Sequence, residues 1–207
     1  ALSFNTPGFR AWFDELWAWQ DEVGLGADAV PPVTVNDLPD LELFTPAELE
    51  EGVHLTANVW RGNRRTEVTA SINGGPATTM TRTQEGNGEA LRRGADYADP
   101  FAVPRQMTIG RYAWQSRSGD PRAQGFEVWQ GARFGPVPPQ GMSARHVADS
   151  SPHLWRLRVP EDLAVGTHVA TVRATDRHGR TSTDRIVFEV RAERPAPRWR
   201  EDVWQGN

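Results

Sequence analysis

SPHLWRLRVPEDLAVGTHVATVRATDRHGRTSTDRIVFEV, residues 151–190, is the stretch that decides the architecture. In residues 154–159, Trp155, Leu157 and Val159 share one face while Arg156 and Arg158 point to water, the period of two of a half-buried strand. Pro160 lacks the amide a ladder needs and ends the run. The pattern resumes over residues 167–175, with His168, Ala170, Val172 and Ala174 on one face and Val169, Thr171 and Arg173 on the other. Asp176-Arg177-His178-Gly179 is a turn in which Gly179 is free to take positive φ. The last run sets Ile186, Phe188 and Val190 against Val187, Glu189 and Arg191.

The residues upstream extend this pattern. Val53, Leu55, Ala57 and Val59 alternate as far as a turn at Trp60-Arg61-Gly62-Asn63, and Val68, Ala70 and Ile72 alternate in the next run. Asn73-Gly74-Gly75 predicts a hairpin that returns the chain along residues 77–82. Between residues 83 and 150 the pattern weakens, and only 107–114 and 126–129 look like strand. Short strands at this spacing predict a mainly β fold, an antiparallel β-sandwich of the immunoglobulin or fibronectin III kind over residues 50–192. An N-terminal helical arm and linker, 1–49, precedes it, and a C-terminal tail containing proline and tryptophan, 193–207, follows.

Within the arm, residues 1–5 form a short strand or its remnant. Thr6-Pro7 is a helix start, a capping threonine with proline at the first helical position. Phe9, Trp12, Phe13, Leu16 and Trp17 recur at helical spacing, with Arg10 and Asp14 expected to pair on the outer side, until Gly24 and Gly26 stop the helix. So wide an aromatic stripe is expected to be buried. Residues 27–44, with prolines at 31, 32 and 39 and no period, read as an extended linker. Thr45-Pro46-Ala47-Glu48 starts a second, short helix with a capping box. Residues 1–52 hold eleven acids against one arginine, and the rest hold sixteen acids against twenty-two arginines, so opposite fields favour an arm lying on the remainder of the chain, the alternative being a solvated acidic linker.

Composition excludes several chemistries. The net charge of −4 argues against a general nucleic-acid binder. Without cysteine there is no disulfide or thiolate, and without lysine there is no Schiff base or P-loop lysine; all 23 basic residues are arginine. No apolar run is long enough to span a membrane and no signal peptide is visible, although a chain that starts at Ala1 says little of its parent in that respect.

Ala57-Asn58-Val59-Trp60, Met80-x-Arg82, Asp99-Pro100, Ser151-Pro152-His153-Leu154-Trp155, Leu163-x-x-Gly166-Thr167-His168 and Val172-x-Ala174-Thr175-Asp176-x-x-Gly179 together resemble the C-terminal domain of secreted bacterial calcineurin-like metallophosphoesterases. The resemblance covers residues 50–191; the Trp-rich helical arm and the length of 84–150 depart from it, so that residues 1–49 are either the end of a catalytic domain or a feature peculiar to this protein. It implies a non-catalytic accessory domain, secreted or periplasmic, that packs on or shapes access to the catalytic domain of its parent. Divalent metals are then expected only in that catalytic domain, with no cofactor in this chain.

The family's two-metal site needs Asp-x-His, Gly-Asp, Gly-Asn-His and Gly-His elements in order. Asp176-Arg177-His178 matches the first, but Gly119-Asp120 precedes it, Gly62-Asn63 is followed by Arg64, and no Gly-His pair exists. The match is read as a turn whose aspartate bonds its own backbone, and no catalytic or metal-binding residue is assigned. His153, His168 and His178 could meet across strands as a zinc site, yet their spacing matches no metal motif. The alternative function is a carbohydrate-binding module using exposed aromatics, with Tyr112, Trp114 and Trp129 as candidate ligand-binding residues; the competing explanation places most of the nine tryptophans in the core.

Overall fold

The computed structural model describes residues 1–23, 33–86, 88–105 and 151–195, with the side chains of 19–23 excepted. It is a mixed α/β fold with two multi-stranded sheets and a few short helices. The first sheet has the order β1 (Leu2–Asn5), β3 (His54–Asn58), β7 (Leu154–Arg158) and β6 (Thr81–Arg82), and every pairing in it is antiparallel. The second has the order β2 (Leu43–Phe44), β9 (Thr181–Val190), β8 (Gly166–Thr175), β4 (Glu67–Ile72) and β5 (Thr78–Thr79), antiparallel except where β2 joins β9.

Alternation builds the core between the sheets. Leu55, Ala57 and Trp155 from the first sheet and Val68, Ala70, Ala170, Val172, Phe188 and Val190 from the second are buried in one cluster, so the inward faces read from period two hold. The stretches before residue 50 join the same cluster. Phe4 of β1 and Phe44 of β2 pack edge-on, centroids 4.9 Å apart, and Phe188 closes the trio at 5.0 and 5.3 Å. Residues 33–44, expected to be linker, instead carry a tight turn at 34–37, held by Asp37 accepting from the Thr34 amide and hydroxyl, and then β2.

Helix α1 (Pro7–Val23) starts where the threonine-proline pair predicts, with Thr6 Oγ1 accepting from the Phe9 amide at 3.0 Å. Phe9, Trp12, Phe13 and Leu16 are buried and Trp17 half-buried, in a second cluster with Val33, Ala95, Ala98 and Val103. The aromatic stripe is therefore covered by this chain's own residues. Arg10 does not bond Asp14: its guanidinium reaches the Asn5 side chain at 3.2 Å and the Gly52 carbonyl at 2.9 Å, with Glu51 at 3.9 Å, because two fixed acceptors beside it outbid a solvated carboxylate. Helix α2 (Pro46–Gly52) has the expected capping box, the Glu48 amide bonding Thr45 Oγ1 and the Thr45 amide bonding Glu48 Oε2. Glu48 also binds Arg194 at 2.8 Å, and Arg158 donates to the Glu50 carbonyl, so the acidic stretch does lie on the arginine-rich remainder.

Two further expectations are corrected. Residues 77–82 are not one strand: after the hairpin, whose Asn73 (φ 53°) and Gly74 (φ 72°) both take positive φ, the chain pairs with β4 at 78–79, dips into the core at Met80, and pairs with β7 at 81–82. The change of sheet at Met80 interrupts the strand. Nor does Arg156 point to water. It is half-buried over the Tyr97 ring (5.8 Å) with Asp96 at 3.9 Å, and its neighbour Leu154 is fully buried. The outer face of the first sheet is covered by the segment through the 3₁₀ turn Ala95–Tyr97. Among the described residues no helix is long and apolar enough to cross a membrane.

Candidate functional site

Tyr112, Trp114 and Trp129, and the strands expected at 107–114 and 126–129, lie outside the described residues. The three histidines are not brought together, since each ring is engaged locally. His168 is stacked on Phe188, accepts from Asn73 Nδ2 at Nδ1 and donates from Nε2 to the Ala164 carbonyl, both at 2.8 Å. His153 donates from Nδ1 to the Gly62 carbonyl at 2.9 Å, and His178 Nε2 accepts from Arg177 Nε at 2.9 Å. Among the described residues no group of three histidines or carboxylates is placed to hold a metal. Asp176 behaves as the turn reading expects: its Oδ1 accepts from the amides of His178 (2.8 Å) and Arg180 (2.9 Å), and these bonds, Arg180's foremost, hold its carboxyl below the usual range.

Where the 95–103 segment covers the first sheet, polar side chains are buried. Asn58 donates to Asp99, whose other oxygen accepts from the Phe101 amide at 2.9 Å; Asn5 donates to the Ala95 carbonyl at 2.8 Å; Thr56 donates to the Ser3 carbonyl at 3.0 Å. His54 lies in the same seam. Burial, reinforced by the Arg156, Arg10 and Arg158 guanidiniums and only partly opposed by Asp96, pushes its ring from 6.5 down to about 4. Among the described residues its Nδ1 and Asn58 Oδ1 are buried without a protein partner. This seam ties two layers together; among the described residues it sets no nucleophile beside a base.

A different grouping lies at one end of the two sheets. Three register positions, Asn58↔Leu154, Arg82↔Trp155 and Glu67↔Thr175, bring the β3–β4 turn, the end of β6, the approach to β7 and the β8–β9 turn side by side. Between them is an open cleft of about 360 Å³ lined by Asn63, Arg64, Arg65, Arg82, His153 and Arg177, with Gly62 and Gly86 at its edges. The β3–β4 turn is held by Thr66 Oγ1 accepting from the Asn63 amide (3.0 Å) and Asn63 Oδ1 from the Arg65 amide (2.8 Å). Gly62 rests on Trp155 so closely that a Cβ there would come within 2.3 Å of the indole. Arg82 is fixed from the other side: its guanidinium sits 5.5 Å over the Trp155 ring and donates twice to the Pro152 carbonyl, at 2.7 and 3.1 Å. Trp155 is thus the shared footing of both walls.

Sequence reading passed over this cleft. It treated Trp60-Arg61-Gly62-Asn63 and Asp176-Arg177-His178-Gly179 as two unrelated turns, and only the strand register makes them neighbours. The arginine pair 64–65 directly after a turn was the one local signal available. Compared with models of known protein families, with curated proteins and with solved structures, the chain matches none of them.

Proposed function

We propose that the two-sheet unit is an immunoglobulin-like sandwich serving as a non-catalytic accessory domain of an exported calcineurin-like metallophosphoesterase, packing on its catalytic domain or shaping access to it. The strand order supports the fold part of this reading. Lettered along the chain, β1, β3, β7 and β6 take the A, B, E and D positions, while β4, β8 and β9 take C, F and G, with β2 added beside G and β5 beside C.

The observation that carries the functional part is the convergence of the residues on which the resemblance rests. Asn58 of Ala57-Asn58-Val59-Trp60 bonds the aspartate of Asp99-Pro100 and reaches Ser151 Oγ at 3.5 Å. Arg82 of Met80-x-Arg82 clasps Pro152 and Trp155, and the Val59 amide bonds the His153 carbonyl at 2.8 Å. Segments some ninety positions apart in the chain are therefore one interlocking set, as a shared structural signature requires. The aromatic stripe of α1 is occupied within the chain, so a catalytic domain would dock elsewhere. A second reading, carbohydrate binding, has one support among the described residues: Trp60 is 71% exposed at the loop end.

Sequencing the gene upstream of the Ala1 codon tests the parentage. Asp-x-His, Gly-Asp, Gly-Asn-His and Gly-His elements there support it, and an upstream region without them contradicts it. The purified chain, supplied with manganese, zinc or iron, is expected to leave chromogenic phosphoesters intact, because a two-metal site needs a ligand set the sequence does not spell. Metal-dependent turnover lost in Asp176→Asn would refute that.

A further inference from the structure

We infer that the cleft at the loop end is a binding site for a doubly charged tetrahedral oxyanion, namely phosphate, either free or as the end group of a small phosphoester. Among the described residues, four arginines line it and no carboxylate does. Gathering like charges costs free energy on any surface, and here it happens on a chain whose net charge is −4. The neighbouring acids do not neutralise the group. Asp176 is committed to the amides of its own turn, and Glu85 touches Arg82 only through its backbone carbonyl. Among the described residues no ion pair reaches Arg64, Arg65, Arg82 or Arg177.

The chemistry of the lining fits an oxyanion better than a cation or a neutral sugar. Guanidinium is a planar fork of donors with no acceptor, matched to phosphate oxygens, and it keeps its charge at every physiological pH. One carboxylate satisfies one such fork; a cluster of four asks for a ligand with more charge and more oxygens. The walls are set before the ligand arrives. Arg82 is held by the Pro152 carbonyl and the Trp155 ring, and His153 by the Gly62 carbonyl, to which its Nδ1–H donates. Arg64, Arg65 and Arg177 are exposed; Arg64 and Arg65 can swing onto a bound group, and Arg177, whose Nε–H bonds His178, offers its terminal nitrogens. The cleft's volume of about 360 Å³ falls at the small end of the roughly 300–1,000 Å³ usual for small-molecule sites, enough for a phosphate with a short organic stem. None of this depends on the proposed parentage, and the site stands if that reading fails.

Calorimetric titration of the full chain at low salt tests the inference, with inorganic phosphate, glycerol phosphate, sulfate and acetate as probes. Saturable binding of phosphate or glycerol phosphate is expected, weakening as salt rises, with acetate bound at least tenfold more weakly, or about 1.4 kcal/mol. Whether the ester or free phosphate binds more tightly identifies the source of the group. The triple variant Arg64→Gln, Arg65→Gln, Arg177→Gln should weaken binding by about tenfold or more, while Arg185→Gln, on β9 away from the cleft, leaves it unchanged. Because the three substituted side chains are exposed, thermal unfolding midpoints of the variants should match that of the parent chain. Absence of saturable phosphate binding, equal binding of acetate, or a triple variant that binds like the parent chain would each overturn the assignment.

Discussion

The two sheets obey different rules of exposure. In the second, β8 and β9 turn one face to the core and the other to water: Val172, Ala174 and Phe188 are buried, while Val187, next to Phe188, is 57% exposed. In the first, both faces of β3 are covered, with Leu55 and Ala57 against the opposite sheet and Thr56 and Asn58 beneath the 95–103 segment. Such a difference sets what sequence can reveal. A sheet wet on one side writes its fold as alternation, and a sheet whose second covering is polar writes the same alternation, so the strand is legible and the layer over it is not.

The largest effect should come from the core both sheets share. Phe188→Ala removes a ring that packs on Phe4 and Phe44 and should cost about 3–5 kcal/mol in chemical denaturation. A cost below about 1 kcal/mol would mean that the sheets do not meet there. In the helical layer, Phe13→Ala should cost nearly as much, about 3 kcal/mol, and should shift the same single transition. A separate early transition would make α1 an independent unit and dissolve the comparison.

A smaller loss tests the polar covering. Asn58→Ala leaves the Asp99 carboxylate buried without its side-chain donor, at a cost of about 1–3 kcal/mol. Gly62→Ala should cost a similar amount, about 1–3 kcal/mol, because its Cβ meets the Trp155 ring. The smallest effect is a pH dependence. His54 has a folded pKa of about 4, below its ordinary 6.5, so between those values the unfolded chain binds the extra proton. Stability contributed by the neutral ring is complete above pH 6.5 and is lost as pH falls towards 4. Replacing His54→Gln should flatten that slope in midpoints measured across the window, and an unchanged slope would place the titration elsewhere.

Much of the fold was legible because the signals were local. The Thr6-Pro7 and Thr45-x-x-Glu48 starts and the Asn73-Gly74 turn each spell their geometry within four residues. Residues 33–44 were not, since β2 is two residues long and owes its place to β9, whose paired residues Glu189 and Val190 lie 146 positions on. Residues 77–82 failed for the opposite reason: their alternation is broken by a change of sheet at Met80, which depends on tertiary packing alone. For the cleft, the chemistry was visible as arginines, yet its assembly rests on pairings such as Glu67↔Thr175 that composition cannot supply.

Native-state hydrogen exchange on the full chain tests most directly whether the stretch before residue 50 is an integral layer. The account predicts that the amides of Thr56 and Asn58 in β3, which bond β1, exchange as slowly as those of Ala170 and Val172 in β8, all requiring global unfolding. Markedly faster exchange of β3 together with α1, while β8 stays protected, would contradict it.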